Sequence, residues 1–265
     1  MRIILSPAKK MKETFDGIPP EGLPVFPEET CEIIKYLKAL SYDEAKKLWA
    51  CSDKIAGENY SRLAGMDFAA GTTPAILAYD GIAFTYMAPG VFEYGEFDYV
   101  QEHLRILSGF YGVVKPMDAV ISYRLEMQAK ASIGKFRNLY EFWGDKIYKE
   151  VTYGDNVVIN LASKEYSKTV EKYISQGDTF ITCTFGELTE SKGKEKVVQK
   201  GVYAKMARGE MVKFMAEKDV QSPEKIKKFN RLGYTFSEKF STDTEYVFLK
   251  DQPAVKQKGK EDTEN

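Results

Sequence analysis

Ser6, Lys9 and Lys10 place a hydroxyl and two ammonium groups directly after the first predicted strand of this 265-residue chain. That strand is the apolar run at residues 2–5. Ligands in α/β sheets tend to bind at the end of a strand, and a hydroxyl beside ammonium groups could hold a phosphate there. An ordinary exposed turn would have the same residues, so both interpretations remain open.

Tyr123, Arg124 and Glu126 combine a phenol, a guanidinium and a carboxylate at the end of a predicted strand over residues 119–123. A guanidinium can bind a phosphate through two parallel hydrogen bonds. Arg124 could do so, or Glu126 could hold it in a structural ion pair. In a site without histidine, a carboxylate such as that of Glu126 could act as a general base or as a nucleophile.

Asn160, Ser163 and Glu165 follow a third predicted strand, the continuous apolar run at residues 157–161. Asn and Ser are common turn and N-cap residues at such a position. An amide, a hydroxyl and a carboxylate at a strand end are also what a pocket for a base or a sugar uses. The sequence therefore predicts either a helix cap or a binding pocket.

Lys205 and Arg208 lie three residues apart on a helix predicted from about residue 204 to residue 218, next to its apolar face. This spacing places both side chains on one side of the helix, where they could contact the backbone of a nucleic acid. A solvated helix edge is the alternative.

Residues 41–64 are predicted to form two helices joined by a tight turn at residues 51–53. Such a pair could be a helix-hairpin-helix, which contacts a phosphate through backbone N–H groups and does not read sequence. Lys54 would add positive charge, whereas Asp53 would repel a phosphate unless it caps the second helix. The turn contains no glycine, and a plain packed helix pair is the alternative.

Hydrophobic periodicity predicts strands interspersed with helices, and therefore an α/β or mixed α+β fold. Ser41 and Glu44 match a capping box. No linker interrupts residues 1–250, which predicts a single domain, whereas residues 251–265 are polar and predict a disordered tail. The further predicted strands are a strand–turn–strand unit at 75–86, a pair at 179–184 and 197–203, and strands at 234–236 and 246–249. The further predicted helices cover 33–40, 97–107 and 136–147, and one starts at 222.

The composition is that of a globular protein, with 43% apolar residues, 29% charged residues and a net charge of −1. His103 is the only histidine, which argues against histidine-based triads and zinc sites. Cys31, Cys51 and Cys183 predict no disulfide framework and fit a reducing cytoplasm. No apolar run approaches the roughly 18 residues of a membrane span, and the phosphate-binding motifs GxGxxG and GxxxxGKS/T are absent. We therefore expect no metal, no cofactor and no membrane contact.

Charge is segregated along the chain although the total is nearly neutral. Residues 1–12 carry +4, residues 13–32 carry −6 and residues 192–218 carry +5. Such clusters can create a strong local field on a neutral protein. If the basic segments meet they would form an anion-binding cleft, and if they do not they are solvated faces.

Seven segments of this chain, in this order, resemble those of the YaaA peroxide stress protein family, and the resemblance extends from residue 1 to about residue 250. The segments are Ser6-Pro7-Ala8-Lys9, Ser52-Asp53-Lys54-Ile55-Ala56, the stretch 104–112 (LRILSGFYG), Tyr123-Arg124-Leu125-Glu126-Met127, the stretch 139–144 (LYEFWG), Asn160-Leu161-Ala162-Ser163 and the stretch 203–209 (YAKMARG).

The resemblance implies a bacterial, cytoplasmic protein that limits free iron and oxidative DNA damage under hydrogen peroxide. It also implies one α/β domain with a basic cleft, a helix-hairpin-helix element and DNA binding. One segment departs from the family, which often has Gly-Asp-Val-Tyr where this chain has residues 81–84, Gly-Ile-Ala-Phe. A role that needs that carboxylate and hydroxyl is therefore in doubt for this chain. The residues carried over to the cleft are Lys9, Lys54, Arg124, Lys205 and Arg208.

Two hypotheses for function follow. The first is a duplex-DNA-binding protein that contacts phosphates through Lys9, Lys10, Lys54, Arg124, Lys205 and Arg208. The second is an enzyme acting on a nucleotide or a nucleobase, a small-molecule ligand held by Ser6, Tyr123, Glu126, Asn160, Ser163 and Glu165. The enzyme is favoured if Glu126 and Glu165 line one closed pocket near Ser6, and disfavoured if each is held in a separate salt bridge. Direct iron chelation is a third, weaker hypothesis, because one histidine and three scattered cysteines make a poor iron site.

Overall fold

The computed structural model describes residues 1–13, 17–191 and 193–251. The strands within these ranges are β1 (Arg2–Leu5), β2 (Lys10–Met11), β3 (Thr73–Pro74), β4 (Tyr79–Asp80), β5 (Leu104–Ser108), β6 (Gly112–Val114), β7 (Ala119–Val120), β8 (Val157–Asn160), β9 (Thr179–Ser191), β10 (Lys194–Val198), β11 (Tyr234–Phe236) and β12 (Glu245–Lys250). Eight of them form one mixed sheet in the order β11-β12-β9-β8-β1-β5-β6, with β10 paired to β9. The two-residue strands form two small pairs, β2 with β4 and β3 with β7.

Five neighbouring strands of the sheet, β12, β9, β8, β1 and β5, are parallel. Strands that are covered on both faces are continuous apolar runs, which explains why Ile3, Ile4 and Ile159 are fully buried. The first strand of the chain thus lies in the middle of the sheet, with Ile3 opposite Leu104 on one side and Ile159 on the other.

The order in which successive strands are placed across the sheet reverses at β1. From β1 it adds β5 on one side, whereas β8, β9 and β12 follow one another on the other side. In an open α/β sheet, the carboxyl ends of the strands at such a reversal leave a crevice that binds ligands. The topology therefore places a candidate site after β1 and β8.

Helices and short loops surround the sheet. They are α1 (Pro27–Lys38), α2 (Tyr42–Trp49), α3 (Asp53–Leu63), α4 (Ala75–Ala78), α5 (Ile82–Met87), α6 (Tyr94–His103), α7 (Leu139–Trp143), α8 (Lys146–Val151), α9 (Lys164–Glu171), α10 (Gly201–Glu217) and α11 (Pro223–Ile226). The longest described helix, α10, packs against α5 and α6. No helix in the described ranges combines the length and the hydrophobicity needed to cross a bilayer.

The predicted mixed α/β fold is confirmed, but two apolar stretches form elements that differ from the prediction. Residues 75–86 form α4, β4 and α5 instead of two strands, and Leu104–Ser108 is a central strand instead of the end of a helix. A short buried apolar run fits a strand or a helix equally well, so periodicity does not separate them.

Smaller differences concern element ends. Gly144, at φ 52°, separates α7 from α8 within the predicted helix 136–147. The strand predicted over 197–203 ends at Val198, and α10 begins at Gly201. Of the predicted tail at 251–265, Asp251 alone is described, and the rest lies outside the described residues.

Candidate functional site

A cavity of about 380 Å³ lies at the carboxyl ends of β1 and β8. Chain segments far apart in sequence line it, including the loop after β1, the start of α5, the loop after β7, the loop between β8 and α9, and one face of α10. The polar and charged lining residues are Ser6, Lys9, Lys10, Asp80, Tyr123, Arg124, Glu126, Ser163, Glu165, Tyr166, Lys205 and Arg208.

Ten of the twelve residues singled out from the sequence therefore line one cavity. The two basic segments at residues 1–12 and 192–218 meet there, because Lys9 and Lys10 come from the first and Lys205 and Arg208 from the second. The cavity lining holds five basic residues and three acidic residues, which leaves an excess of positive charge. Lys192 and Asp16, which contributed to the charge segregation, lie outside the described residues.

Ser6 and Ser163 join the loops that follow β1 and β8. The backbone N–H of Ser163 donates a hydrogen bond to Ser6 Oγ at 2.8 Å, and Ser6 Oγ lies 3.1 Å from Ser163 Oγ, to which it donates. Ser163 is also the N-cap residue of α9. This short polar link fixes the floor of the cavity at the junction of two neighbouring parallel strands.

Glu126 forms ion pairs with two cationic side chains. Its Oε2 lies 2.8 Å from Lys9 Nζ, and its Oε1 lies 3.4 Å from Arg124 Nη2. The structural ion pair that the sequence left open for Arg124 is thus present. Lys10 has its own partner, because its Nζ lies 2.6 Å from Asp80 Oδ2.

Arg208 and Lys205 make no side-chain hydrogen bond or salt bridge with the residues that the structure describes. Burial lowers the pKa of the Arg208 guanidinium, and the nearby Cys183 only partly offsets this effect. The Nε atoms of Arg208 and Arg124 are both buried without a hydrogen-bond partner in the described ranges. A cation that is removed from water without a partner is costly, so an anion in the cavity would stabilise the Arg208 guanidinium, whereas Arg124 already has Glu126 as its partner.

Glu165 is the second carboxylate of the cavity. Its Oε1 accepts a hydrogen bond of 3.2 Å from the backbone N–H of Gln128. Burial raises the pKa of Glu165, the Gln128 amide lowers it in part, and the charge of Glu126 raises it further. A carboxyl with a raised pKa beside a charged carboxylate is a common arrangement for proton transfer.

Tyr123 lines the cavity, but its hydroxyl lies in a buried network. The oxygen is 2.6 Å from Ser108 Oγ and 2.9 Å from the hydroxyl of Tyr79. Burial raises the pKa of Tyr123 to about 12. Tyr123 therefore stays protonated near neutral pH and holds the cavity wall in place.

Asn160 and Lys54, the other two candidate residues, do not line the cavity. Asn160 is buried, and its side chain accepts from the Ala162 amide at 2.9 Å and donates to Thr182 Oγ1 at 3.2 Å. These bonds make it a turn residue that shapes the exit from β8. Lys54 is exposed on α3, outside the residues that line the cavity.

The helix pair predicted at residues 41–64 is present as α2 and α3. The carboxylate of Asp53 binds Lys46 Nζ at 2.7 Å and the Tyr42 hydroxyl at 2.9 Å, so it is neutralised by α2. The side chain of Ser52, the N-cap residue of α3, makes no capping hydrogen bond. That this pair acts as a helix-hairpin-helix remains a prediction.

Asp80 and the segment at residues 81–84 also line the cavity and were not predicted as site residues. The β2–β4 pairing sets Asp80 opposite Lys10. A Cβ on Gly81 would lie 2.7 Å from Ala8 Cβ, so only glycine allows this close approach. Ile82, Ala83 and Phe84, where this chain differs from the usual residues of the family, give the cavity an apolar wall.

No group of three or more His, Cys, Asp or Glu side chains that could hold a metal ion is found within the described ranges.

The comparison with known proteins agrees with the segments singled out from the sequence. Residues 1–240 match the family described as "Peroxide stress protein YaaA". A UPF0246 protein of Agathobacter rectalis is 56% identical over 94% of this chain and 98% of its own length. A UPF0246 protein of Desulfitobacterium hafniense is 53% identical over 94% of this chain and 98% of its own length. A UPF0246 protein of Lachnoclostridium phytofermentans is 50% identical over 97% of this chain and 99% of its own length. The chain belongs to the YaaA family of peroxide stress proteins.

Proposed function

We propose that this peroxide stress protein is cytoplasmic and binds duplex DNA, with DNA phosphates contacting the cavity at the ends of β1 and β8. The observation that carries the proposal is the meeting of five basic side chains from three distant parts of the chain. Two of them, Lys205 and Arg208, have no acidic partner among the described residues. Phosphate is the anion that suits guanidinium and ammonium groups in such an arrangement.

The size of the cavity limits how the DNA is bound. A volume of about 380 Å³ is at the lower end of the range for small-ligand pockets, so it admits one phosphate or one nucleotide and not a duplex. The rest of the duplex lies across the surrounding surface, where Lys54 on α3 is a further candidate contact. With few phosphates neutralised, the affinity is modest and strongly dependent on salt.

The effect on iron is indirect in this proposal. DNA is the target that hydrogen peroxide and free iron damage together, and the protein limits that damage from its position on DNA. In this proposal the concentration of free iron falls in a later step, in which the DNA-bound protein takes part.

The test is duplex binding at several salt concentrations, with the wild type compared with Lys205→Ala/Arg208→Ala. We expect the wild type to bind at low salt with a linear dependence of log K on log salt. The variant should lose the phosphate contact in the cavity, so its slope should be smaller by about 1, equally for unrelated sequences. Lys218→Ala/Lys225→Ala, which removes two exposed lysines that do not line the cavity, is the matched control. Wild-type protein that does not bind at low salt, or binds independently of salt, would show that the proposal is wrong.

A specific observation also favours the second candidate function, an enzyme acting on a nucleotide or a nucleobase. Glu126 and Glu165 line the same cavity as Ser6, and only Glu126 is in a salt bridge. In this proposal Glu165, whose pKa is raised by burial, moves the proton. Arg208 binds the phosphate, and the apolar wall at residues 82–84 packs against the base.

This candidate is tested with a panel of nucleotides, nucleosides and nucleotide-containing oligomers analysed for products. Glu165→Gln should abolish turnover while DNA binding persists, and the exposed Glu58→Gln on α3 should leave both unchanged. Absence of any product with the wild type, together with salt-dependent DNA binding, would leave DNA binding as the function.

A further inference from the structure

A second concave surface lies beside the cavity and was not singled out from the sequence. It is a groove of about 460 Å³ on the outer face of α9, and Lys164, Lys168, Lys172, Tyr140 and Tyr173 are among its lining residues. We call this surface the α9 groove. We propose that the α9 groove carries the DNA backbone away from the cavity, an inference that rests on the proposed DNA binding.

The three lysines form a regular row. They are four residues apart, so they lie on one face of the helix, and all three are exposed. At a rise of about 1.5 Å per residue the row is about 12 Å long. The phosphates of one strand of B-DNA advance about 3.4 Å per nucleotide along the axis and also wind around it, so the row is long enough for about two to three of them.

The charge of the α9 groove is positive. Glu171 is the acidic residue among those that line it, and its carboxylate lies 2.7 Å from Lys164 Nζ. Lys168 makes no side-chain bond with the described residues, and Lys172 lies over the ring of Tyr173 with its Nζ 5.3 Å from the centroid. At least two of the three ammonium groups are therefore free of acidic partners.

The α9 groove adjoins the cavity at the first turn of α9, although no described residue lines both surfaces. Ser163 and Glu165 line the cavity, while Lys164 between them lines the groove. The hydroxyl of Tyr140, in the groove, donates a hydrogen bond of 2.9 Å to the carbonyl of Glu165. A strand with one phosphate near Arg208 would therefore find a second positively charged surface next to the cavity, and DNA is the partner that this proximity and charge favour.

The experiment compares the salt dependence of duplex binding for Lys164→Gln/Lys168→Gln/Lys172→Gln with that of the wild type. The expected result is a slope smaller by 2 to 3, since each lost phosphate contact removes about 1. Lys164→Arg/Lys168→Arg/Lys172→Arg keeps the charge and should restore the slope. The matched control is Lys218→Gln/Lys225→Gln/Lys228→Gln, which removes three exposed lysines outside both surfaces and should leave the slope unchanged.

The outcomes separate this inference from the proposal on which it rests. If the wild type binds DNA, Lys205→Ala/Arg208→Ala loses affinity and the α9 glutamine variant keeps the wild-type slope, the inference is wrong and DNA binding stands. If the wild type does not bind DNA, or binds only anionic lipid vesicles, both are wrong. If the triple variant does not fold by circular dichroism, Lys168→Gln alone should lower the slope by about 1, and an unchanged slope would overturn the inference.

Discussion

Arg208 differs from Lys9 and Lys10 in the cavity because its charge has no acidic partner among the described residues. Lys9 and Lys10 are exposed and each forms a salt bridge, and solvent screening leaves such exposed pairs with little energy. Arg208 is largely desolvated and its guanidinium has no acidic partner in the described ranges. The energy of binding an anion should therefore depend more on Arg208 than on either lysine.

Asp118, outside the cavity, leads to a prediction about pH and stability. It is 6% exposed, and burial raises its pKa to about 6, with partial compensation from the Lys115 amide. The unfolded value is about 3.9, so the folded state loses stability as the pH rises from about 4 to 6. Asp118→Asn removes this loss. Urea unfolding at pH 4 and pH 7 should show the variant gaining free energy of unfolding relative to the wild type at the higher pH.

Asp178 provides a control of opposite sign. Its Oδ2 accepts from the Ser175 amide, the Tyr148 hydroxyl and the Ser175 hydroxyl, which together lower its pKa. Stability that depends on this carboxylate is present above the unfolded pKa and is lost as the pH falls through the folded pKa. Asp178→Asn should therefore be more destabilising at pH 7 than at low pH. The same pH trend in both variants would contradict the assignment.

At the scale of elements, the cavity depends on the contact between α10 and α5. Gly209 lies where α10 crosses α5, and a Cβ there would overlap the carbonyl oxygen of Ala83 and lie 3.0 Å from its Cα. Backbone-to-backbone contact this close brings Lys205 and Arg208 on α10 up to the apolar wall on α5. The glycine is therefore what allows the two sides of the cavity to meet.

Gly209→Ala should destabilise the fold because the Ala83 backbone has no room to move. Forcing an extra methyl group into a packed contact costs about 1–3 kcal/mol or more, measured as the change in free energy of unfolding. Gly57→Ala is the matched control, since Gly57 also lies inside a helix but has open space where the methyl group would go. There the better helix propensity of alanine should stabilise by up to about 1 kcal/mol. Equal effects at the two sites would argue against the close crossing.

At the scale of the whole molecule, the order of strands links the two ends of the chain. The first strand lies in the centre of the sheet, and β12 near the other end pairs with β9 in the same sheet. A segment removed from either end would leave a buried strand without its partner. The net charge of −1 hides the positive cavity, so affinity for DNA depends on local geometry and not on overall charge.

This linkage predicts one cooperative unfolding transition for residues 1–250. Trp49 in α2 and Trp143 in α7 are both buried, so tryptophan fluorescence reports on tertiary packing in two places while far-ultraviolet circular dichroism reports on the helices. The two denaturation curves should coincide, which is the test of a two-state transition. Trp49→Phe leaves Trp143 as the single probe and should give a curve that also coincides with circular dichroism. Separate midpoints would indicate two domains.

Local features were predictable from the sequence because their causes are local. The buried runs at residues 2–5 and 157–160 are strands, and the capping box is present, with the Ser41 amide 2.8 Å from Glu44 Oε2. Ten of the twelve candidate residues line one cavity, and those that follow β1 and β8 do so because polar residues just after parallel strands come to the same edge of the sheet.

Only the tertiary structure decided which candidates share a site and which elements the ambiguous segments form. Asn160 and Ser163 follow the same strand, yet one is used in a turn and the other lines the cavity. Residues 75–86 and 104–108 are apolar enough for either element, and their packing against α10 or beside β1 settled the outcome. The sequence by itself determined the strands at residues 2–5 and 157–160, the capping box at Ser41 and the segregated charge, since each depends on neighbours in the chain. The meeting of the basic segments depends on α10 packing against α5, more than 100 residues earlier in the chain, and such long-range packing is a property of the folded chain.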